Sequence, residues 1–177
     1  MSLELNFHDL YFASVPIKLA LAGELNAKHG ARLAAAPEIS SLLARVEEAA
    51  TGLGQVMESM AMPALCRECG SRPAGGCCSL EMTNETDSIL LLANMLLGIA
   101  VAVQRDDGIE CSFLGPRGCI LRLKPIFCLN YNCAGIHAAN SPATLATLGQ
   151  AASRLLNLQT DLEDAILEQL PTLLVDK

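Results

Sequence analysis

The chain is 177 residues long, 51% apolar but only 3% aromatic and without tryptophan, and it carries a formal charge of −7. That length accommodates one domain with a proper core and is short for two, and so aliphatic a composition favours packed helices over a sheet sandwich. The acidic balance, with a pI near 4.9, lacks the stripe of Lys and Arg that releases counterions from a phosphate backbone, so no nucleic acid partner is expected.

Residues 1–6 carry Glu4 in place of a basic n-region, and Lys18 and Glu24 interrupt the first apolar stretch; no secretory signal is expected. Ser14-Val15-Pro16 reads as a helix entry, the serine as cap and the proline in the first turn. A helix over 16–28 follows, with His29-Gly30 as its exit. Ile39, Leu42, Val46, Ala49, Leu53, Val56 and Met60 recur in steps of three and four, the stripe of a second amphipathic helix, which Gly52 and Gly54 weaken. Pro63 is expected to close this helical half. The linker over 70–76 offers no apolar side chain beyond alanine and needs something else to order it.

Thr83 or Asn84 can cap a helix whose body spans 89–97, with Glu85 and Asp87 placed favourably against the helix dipole. The alternation of Ile99, Val101 and Val103, the Asp107-Gly108 turn and a return over 109–114 predict a β-hairpin. The apolar run over 89–103 is about 15 residues long and contains Asn94 and Gly98, short of the roughly 18 to 20 that span a bilayer. Its flanks, Asp87 and Gln104-Arg105-Asp106-Asp107, carry no positive-inside bias, so it reads as a buried helix running into a strand and no membrane span is expected. Ser141-Pro142 opens the last helix, whose apolar positions from Leu145 to Leu170 keep helical spacing until Pro171 ends it.

Eight cysteines stand out: Cys66, Cys69, Cys77, Cys78, Cys111, Cys119, Cys128 and Cys133. Without an export signal they belong in a compartment that keeps thiols reduced, the cytoplasm, where metal ligation is their leading explanation. In a C-x2-C step such as Cys66-Cys69 the backbone can turn so that both sulfurs converge on one ion, with nearby amides donating to the thiolates. Six of the eight fall in close groups, with the adjacent pair Cys77-Cys78 and the Cys128-x4-Cys133 step as the other two. Neighbouring side chains in an extended segment point to opposite sides, so Cys77 and Cys78 either serve two sites or divide between ligation and packing. Two zinc sites, two iron–sulfur clusters, or one cluster with spare thiols all satisfy the count, and spacing does not choose among them.

The order Cys66-Arg67-Glu68-Cys69, Cys77-Cys78, Cys111-Ser112-Phe113-Leu114, Gly118-Cys119-Ile120 and Lys124-Pro125-Ile126-Phe127-Cys128 to Cys133 resembles the CxxCxxCC cysteine-cluster family of zinc- or iron-chelating domains. The resemblance covers residues 66–133 and implies that all eight cysteines are the chelating set, with zinc or an iron–sulfur cluster as cofactor. Two departures stand out. Seven residues separate Cys69 from the adjacent pair, where the family has a shorter spacing, and Lys124 stands where arginine, a forked donor, is usual.

Other polar groups carry less. His137 stands four residues after Cys133, a spacing open to a mixed Cys/His site, but reads first as a surface histidine. Asp106-Asp107 and Glu47-Glu48 read as a solvated turn and a solvated helix face, with no nucleophile beside them. Arg117, Arg122 and Lys124 read as compensation for thiolate charge. Nucleotide-binding and hydrolase motifs are lacking.

The expected architecture is mainly α, a helical domain with a small β-hairpin and a metal-bound cysteine-rich segment. It is a single domain over 1–177: N-terminal helices over 1–62, a cysteine-cluster region with helix and hairpin over 63–137, and a C-terminal helix over 141–170. The expected function is a metal-binding protein with a cysteine-ligated zinc or iron–sulfur centre. The alternatives are a structural zinc interaction module and, since the family that the chain resembles includes flagellin lysine methylases, a cluster-dependent protein-modifying enzyme. The apolar helical stripes serve equally as core or as contact with a protein partner or second copy.

Overall fold

The computed structural model describes residues 7–70 and 76–175, and the side chains of 172–175 are not part of that description. The stretch 1–6 and linker residues 71–75, both subjects of expectations above, lie outside the described residues. The chain is mainly helical with one small antiparallel hairpin.

A short α1 (Phe7–Phe12) leads into α2 (Val15–Ala35), which enters at Ser14 with Pro16 in its first turn. It does not leave at His29-Gly30. Gly30 is buried where α2 packs on α6, and a Cβ there would lie 3.7 Å from a Leu96 methyl group and against Asn26. The glycine thus admits a neighbouring helix and is no exit. α3 (Pro37–Ser59) follows at once and runs unbroken through Gly52 and Gly54, and Ala61, with a left-handed φ of 52°, turns the chain out of it. Pro63 does not close the helical half. It sits in the first turn of α4 (Met62–Gly70), where its missing N–H has no partner to lose.

α5 (Leu80–Asn84) precedes α6 (Ser88–Leu96). The cap of α6 is Asp87, whose carboxylate accepts from the Leu90 amide at 2.7 Å, and not Thr83 or Asn84, which belong to α5. α6 closes in a Schellman turn: Gly98, at φ +78°, donates to Met95 O at 2.9 Å, and Ile99 donates to Asn94 O at 3.0 Å. The expected strand over 99–103 does not form. Gln104 N donates to Ser112 O, but no ladder extends from that bond. The hairpin lies further on, in β1 (Leu114–Gly115) and β2 (Gly118–Cys119), with Leu114 opposite Cys119 and Gly115 opposite Gly118. Two short helices missing from the sequence reading, α7 (Ile126–Asn130) and α8 (Ala134–Ala139), lead to α9 (Pro142–Val175), which continues past Pro171.

Helix packing builds one core. α3 lies along α9 and α2 along α6, while α6 also rests on α9. Ile39, Val46 and Leu53 of α3 meet Leu155, Leu162 and Ile166 of α9 in that core, as their spacing predicts. Among the described residues no helix is long and apolar enough to cross a membrane.

Polar groups tie the rim. The Tyr11 hydroxyl donates to Glu163 Oε1 at 2.8 Å, and the buried Lys18 ammonium donates to Asn84 O at 2.9 Å. Glu163 is held above the ordinary carboxylate range by burial and by the negative charges of Asp87 and Asp164, although Tyr11 opposes the shift. A carboxyl whose pKa is raised by folding favours the native state least when ionised, so that its penalty grows as pH rises through the folded value. Glu163→Gln should therefore raise the melting temperature at neutral pH and lose that advantage as pH falls below about 4, where thermal scans should show the two melting temperatures converging.

The glycines separate by conformation. Gly98→Ala should cost about 1–2 kcal/mol in chemical unfolding because an L side chain is forced into the left-handed region. Gly52→Ala meets nothing within 4 Å and should stabilise by about 1 kcal/mol through helix propensity.

Candidate metal centre

Five stretches of chain carry the eight cysteines, and the fold brings these stretches together. Cys66 and Cys69 are three apart on α4, hence on neighbouring positions of one helical face. This C-x2-C step lies within a helix. α4 packs on α8, whose N-cap is Cys133. The Cys78 carbonyl accepts from the Cys111 amide at 2.9 Å, beside the antiparallel bridge from Ser79 to Glu110. Cys111 O in turn accepts from Leu114 N at 2.9 Å, and the hairpin returns the chain so that Cys119 faces Leu114. Cys128 lies on α7, its amide bonded to Pro125 O at 3.0 Å.

The platform beneath is apolar and hydrogen-bonded. Phe113, Leu121, Leu123, Leu129 and Ile136 are buried between the cysteines, whereas none of the eight thiols is buried; Cys66, Cys77, Cys78, Cys119 and Cys128 are exposed and the rest half-buried. Asn94 of α6, wholly buried, uses its whole amide. Nδ2 donates to Leu90 O and Leu123 O, both at 2.9 Å, and Oδ1 accepts from Arg122 N at 2.7 Å and Leu123 N at 3.0 Å. Thr83 Oγ1 accepts from Ser112 N at 2.8 Å, and Gln159 Nε2 of α9 donates to Lys124 O at 3.0 Å. Asn94, Thr83 and Gln159 were not singled out as site residues from sequence. Asn94 was noticed only as a break in an apolar run, though a lone amide inside such a run is the usual mark of a buried hydrogen-bonding staple.

The thiols act on one another electrostatically. The Cys66 thiol is pushed up by loss of water, then by the charges of Cys77, Cys133 and Cys69. The Cys78 thiol donates to Cys77, which holds Cys77 down at about 6 and Cys78 well up; Cys111 and Cys119 add to the rise at Cys78. Cys128 is pushed up to about 11 by desolvation and by Cys119 and Cys111, with Lys124 opposing. Cys119 is raised by desolvation, again against Lys124. Electrostatic influence thus links Cys66 with Cys69, Cys77 and Cys133, and Cys78 and Cys128 with Cys111 and Cys119. These are linked groups and not a finished shell: among the described residues no three His, Cys, Asp or Glu side chains stand together as a metal-holding group. Soft thiolates are the donors that zinc and iron–sulfur clusters take.

The lesser candidates fall elsewhere. His137 is exposed on α8, its amide bonded to Cys133 O. Asp107 closes a turn, Oδ1 accepting from Ile109 N and Glu110 N. Arg122 does not serve the thiolates; its guanidinium pairs with Glu47 of α3 at 2.9 Å and reaches Thr51. Of the three cations near the cysteines, Lys124 is the one whose charge acts on thiols. Lys124 also lines a cleft of about 210 Å³ between α6 and α9, together with Asp87, Gln159 and Glu163.

Comparison of the chain with protein-family models, with curated proteins and with solved structures finds no match.

Asn94→Ala should strip Arg122 N, Leu123 N and Leu123 O of their partner and destabilise the chain by on the order of 3 kcal/mol, read as a lower urea midpoint at unchanged m-value.

Proposed function

We propose that the chain is a metal-binding protein of the reducing cytoplasm, in which the eight cysteines hold zinc or an iron–sulfur centre, in keeping with its resemblance to the CxxCxxCC cluster domains. One observation carries this reading: none of Cys66, Cys69, Cys77, Cys78, Cys111, Cys119, Cys128 and Cys133 is buried, and charge on one thiol reaches others drawn from separate stretches of the chain. Cysteines retained for packing are buried; these are displayed above a layer of buried Phe113, Leu121 and Leu123. Crowded thiols repel one another once ionised, and a bound cation both removes their protons and offsets that repulsion.

The chemistry depends on which group is bound. Zinc in a closed tetrathiolate shell makes the segment a structural module for holding a partner protein, whereas an iron–sulfur cluster supplies electron transfer. A second reading, a cluster-dependent protein-modifying enzyme, is supported by the cleft that shares Lys124 with the cysteine region and is lined by Asp87 and Glu163.

Metal and acid-labile sulfide are to be measured on protein purified without oxygen. Iron with matching sulfide and a brown colour is the expected result for a cluster, zinc without sulfide for the structural module; no metal of either kind overturns the proposal. Cys77→Ser, Cys111→Ser and Cys128→Ser should each lower the content. Chelation should speed amide exchange over 76–133 and leave α3 and α9 protected, since their core is built without the cysteines.

A further inference from the structure

The cleft of about 210 Å³ between α6 and α9 has no cysteine in its lining. Its walls are aliphatic, with Leu90 and Ala93 from α6, Leu156 from α9, and Leu123 from the segment between β2 and α7. Three carboxylates, Glu85, Asp87 and Glu163, share that lining with one cation, Lys124. Gln159 supplies a further acceptor. Its Nε2 is committed to Lys124 O at 3.0 Å, which fixes the orientation of the amide, and Oε1 is shielded from solvent without a hydrogen-bond partner among the described residues. An acceptor buried in that state is costly and calls for a donor.

The lining selects the chemistry of what enters. The N-terminus of α6, where an anion would settle, is already filled by the Asp87 carboxylate, which accepts from Leu90 N at 2.7 Å, and carboxylates outnumber the single lysine. A bare metal ion is disfavoured as well, because no three His, Cys, Asp or Glu side chains stand together among the described residues. Neither Asp87 nor Glu163 is in an ion pair among those residues. Glu163 accepts from the Tyr11 hydroxyl, and the Lys18 ammonium donates to Asn84 O and reaches Asp87 only through space. Loss of water holds both carboxyls above their ordinary range, and the Asp87 charge adds to the rise at Glu163; a cation beside them lifts that burden. We infer that the cleft binds a small aliphatic ammonium compound, whose N–H groups donate to Gln159 Oε1 and to the Asp87 and Glu163 carboxylates while its carbon chain lies on Leu90, Ala93, Leu123 and Leu156. The cleft is smaller than the roughly 300 to 1,000 Å³ of common ligand pockets, which keeps the compound to a few carbons. The inference stands apart from the proposed metal centre and holds whether or not the thiols carry metal.

The test is calorimetric titration of the full chain with n-butylammonium chloride at constant ionic strength, with n-butanol and sodium butyrate as neutral and anionic counterparts of similar length. Saturable binding at one site is expected for the ammonium alone. Methyl NMR of the leucine-labelled wild-type chain needs no variant and should place the shifts at Leu90, Leu123 and Leu156. Glu163→Gln, expected above to fold at least as stably at neutral pH, should weaken binding by about tenfold through the loss of one charged hydrogen bond. No saturation, equal binding of butanol or butyrate, no shift at the three leucines, or full affinity in Glu163→Gln each overturns the inference. Metal content measured on the same sample reads the proposed function separately, because the cleft holds no cysteine.

Discussion

A single buried amide holds the cysteine platform to the helical core. Asn94 sits within α6, where its neighbours Leu91, Leu92 and Ala93 are buried, and three of its four hydrogen bonds reach 28 and 29 residues along the chain to Arg122 and Leu123, the fourth going to Leu90 O within the helix. Backbone groups at those positions have no strand to pair with, so without the amide they would be buried and unpartnered, which is costly. With it, Leu121 and Leu123 can enter the core, and the cysteines on either side, Cys119 and Cys128, are left at the surface. Arg122 adds an outer tie by pairing with Glu47 on α3.

This arrangement separates two tasks that compete in small metal proteins. The helices carry stability through aliphatic contact between α3 and α9 and between α2 and α6. Of the cysteines, Cys111 and Cys133 pack against that core and Cys66, Cys77, Cys78, Cys119 and Cys128 are exposed. Their neighbourhood instead accumulates electrostatic tension: desolvation and mutual repulsion push Cys66, Cys119 and Cys128 up, and a shared proton sets Cys77 against Cys78.

The long helices were legible because their apolar residues repeat at helical spacing over many turns, and that repeat survived both glycines in α3 and the proline in α9. Boundaries were misread wherever a local rule met tertiary contact. Gly30 looked like an exit but is the point where α6 comes close. Thr83 looked like a cap, yet its hydroxyl is spent on Ser112, and Asp87 caps α6. The hairpin was placed too early because β-branched residues at 99, 101 and 103 alternate as strands do, while the chain lacks a partner to pair with them there. Of the candidate centre, the grouping of the cysteines along the chain could be read from spacing; the packing of α8 on α4 and the Cys78–Cys111 backbone bond could not, because both are tertiary contacts.

The pairing of α3 with α9 also sets an order of events during synthesis. A nascent chain exposes all eight thiols by residue 133, but the helix that covers the apolar face of α3 starts only at Pro142. Until it emerges, a complete set of soft ligands hangs on a half-built scaffold beside uncovered leucines. A chain cut short before α9 would thus keep every thiol while leaving the apolar face of α3 uncovered, a species prone to aggregate.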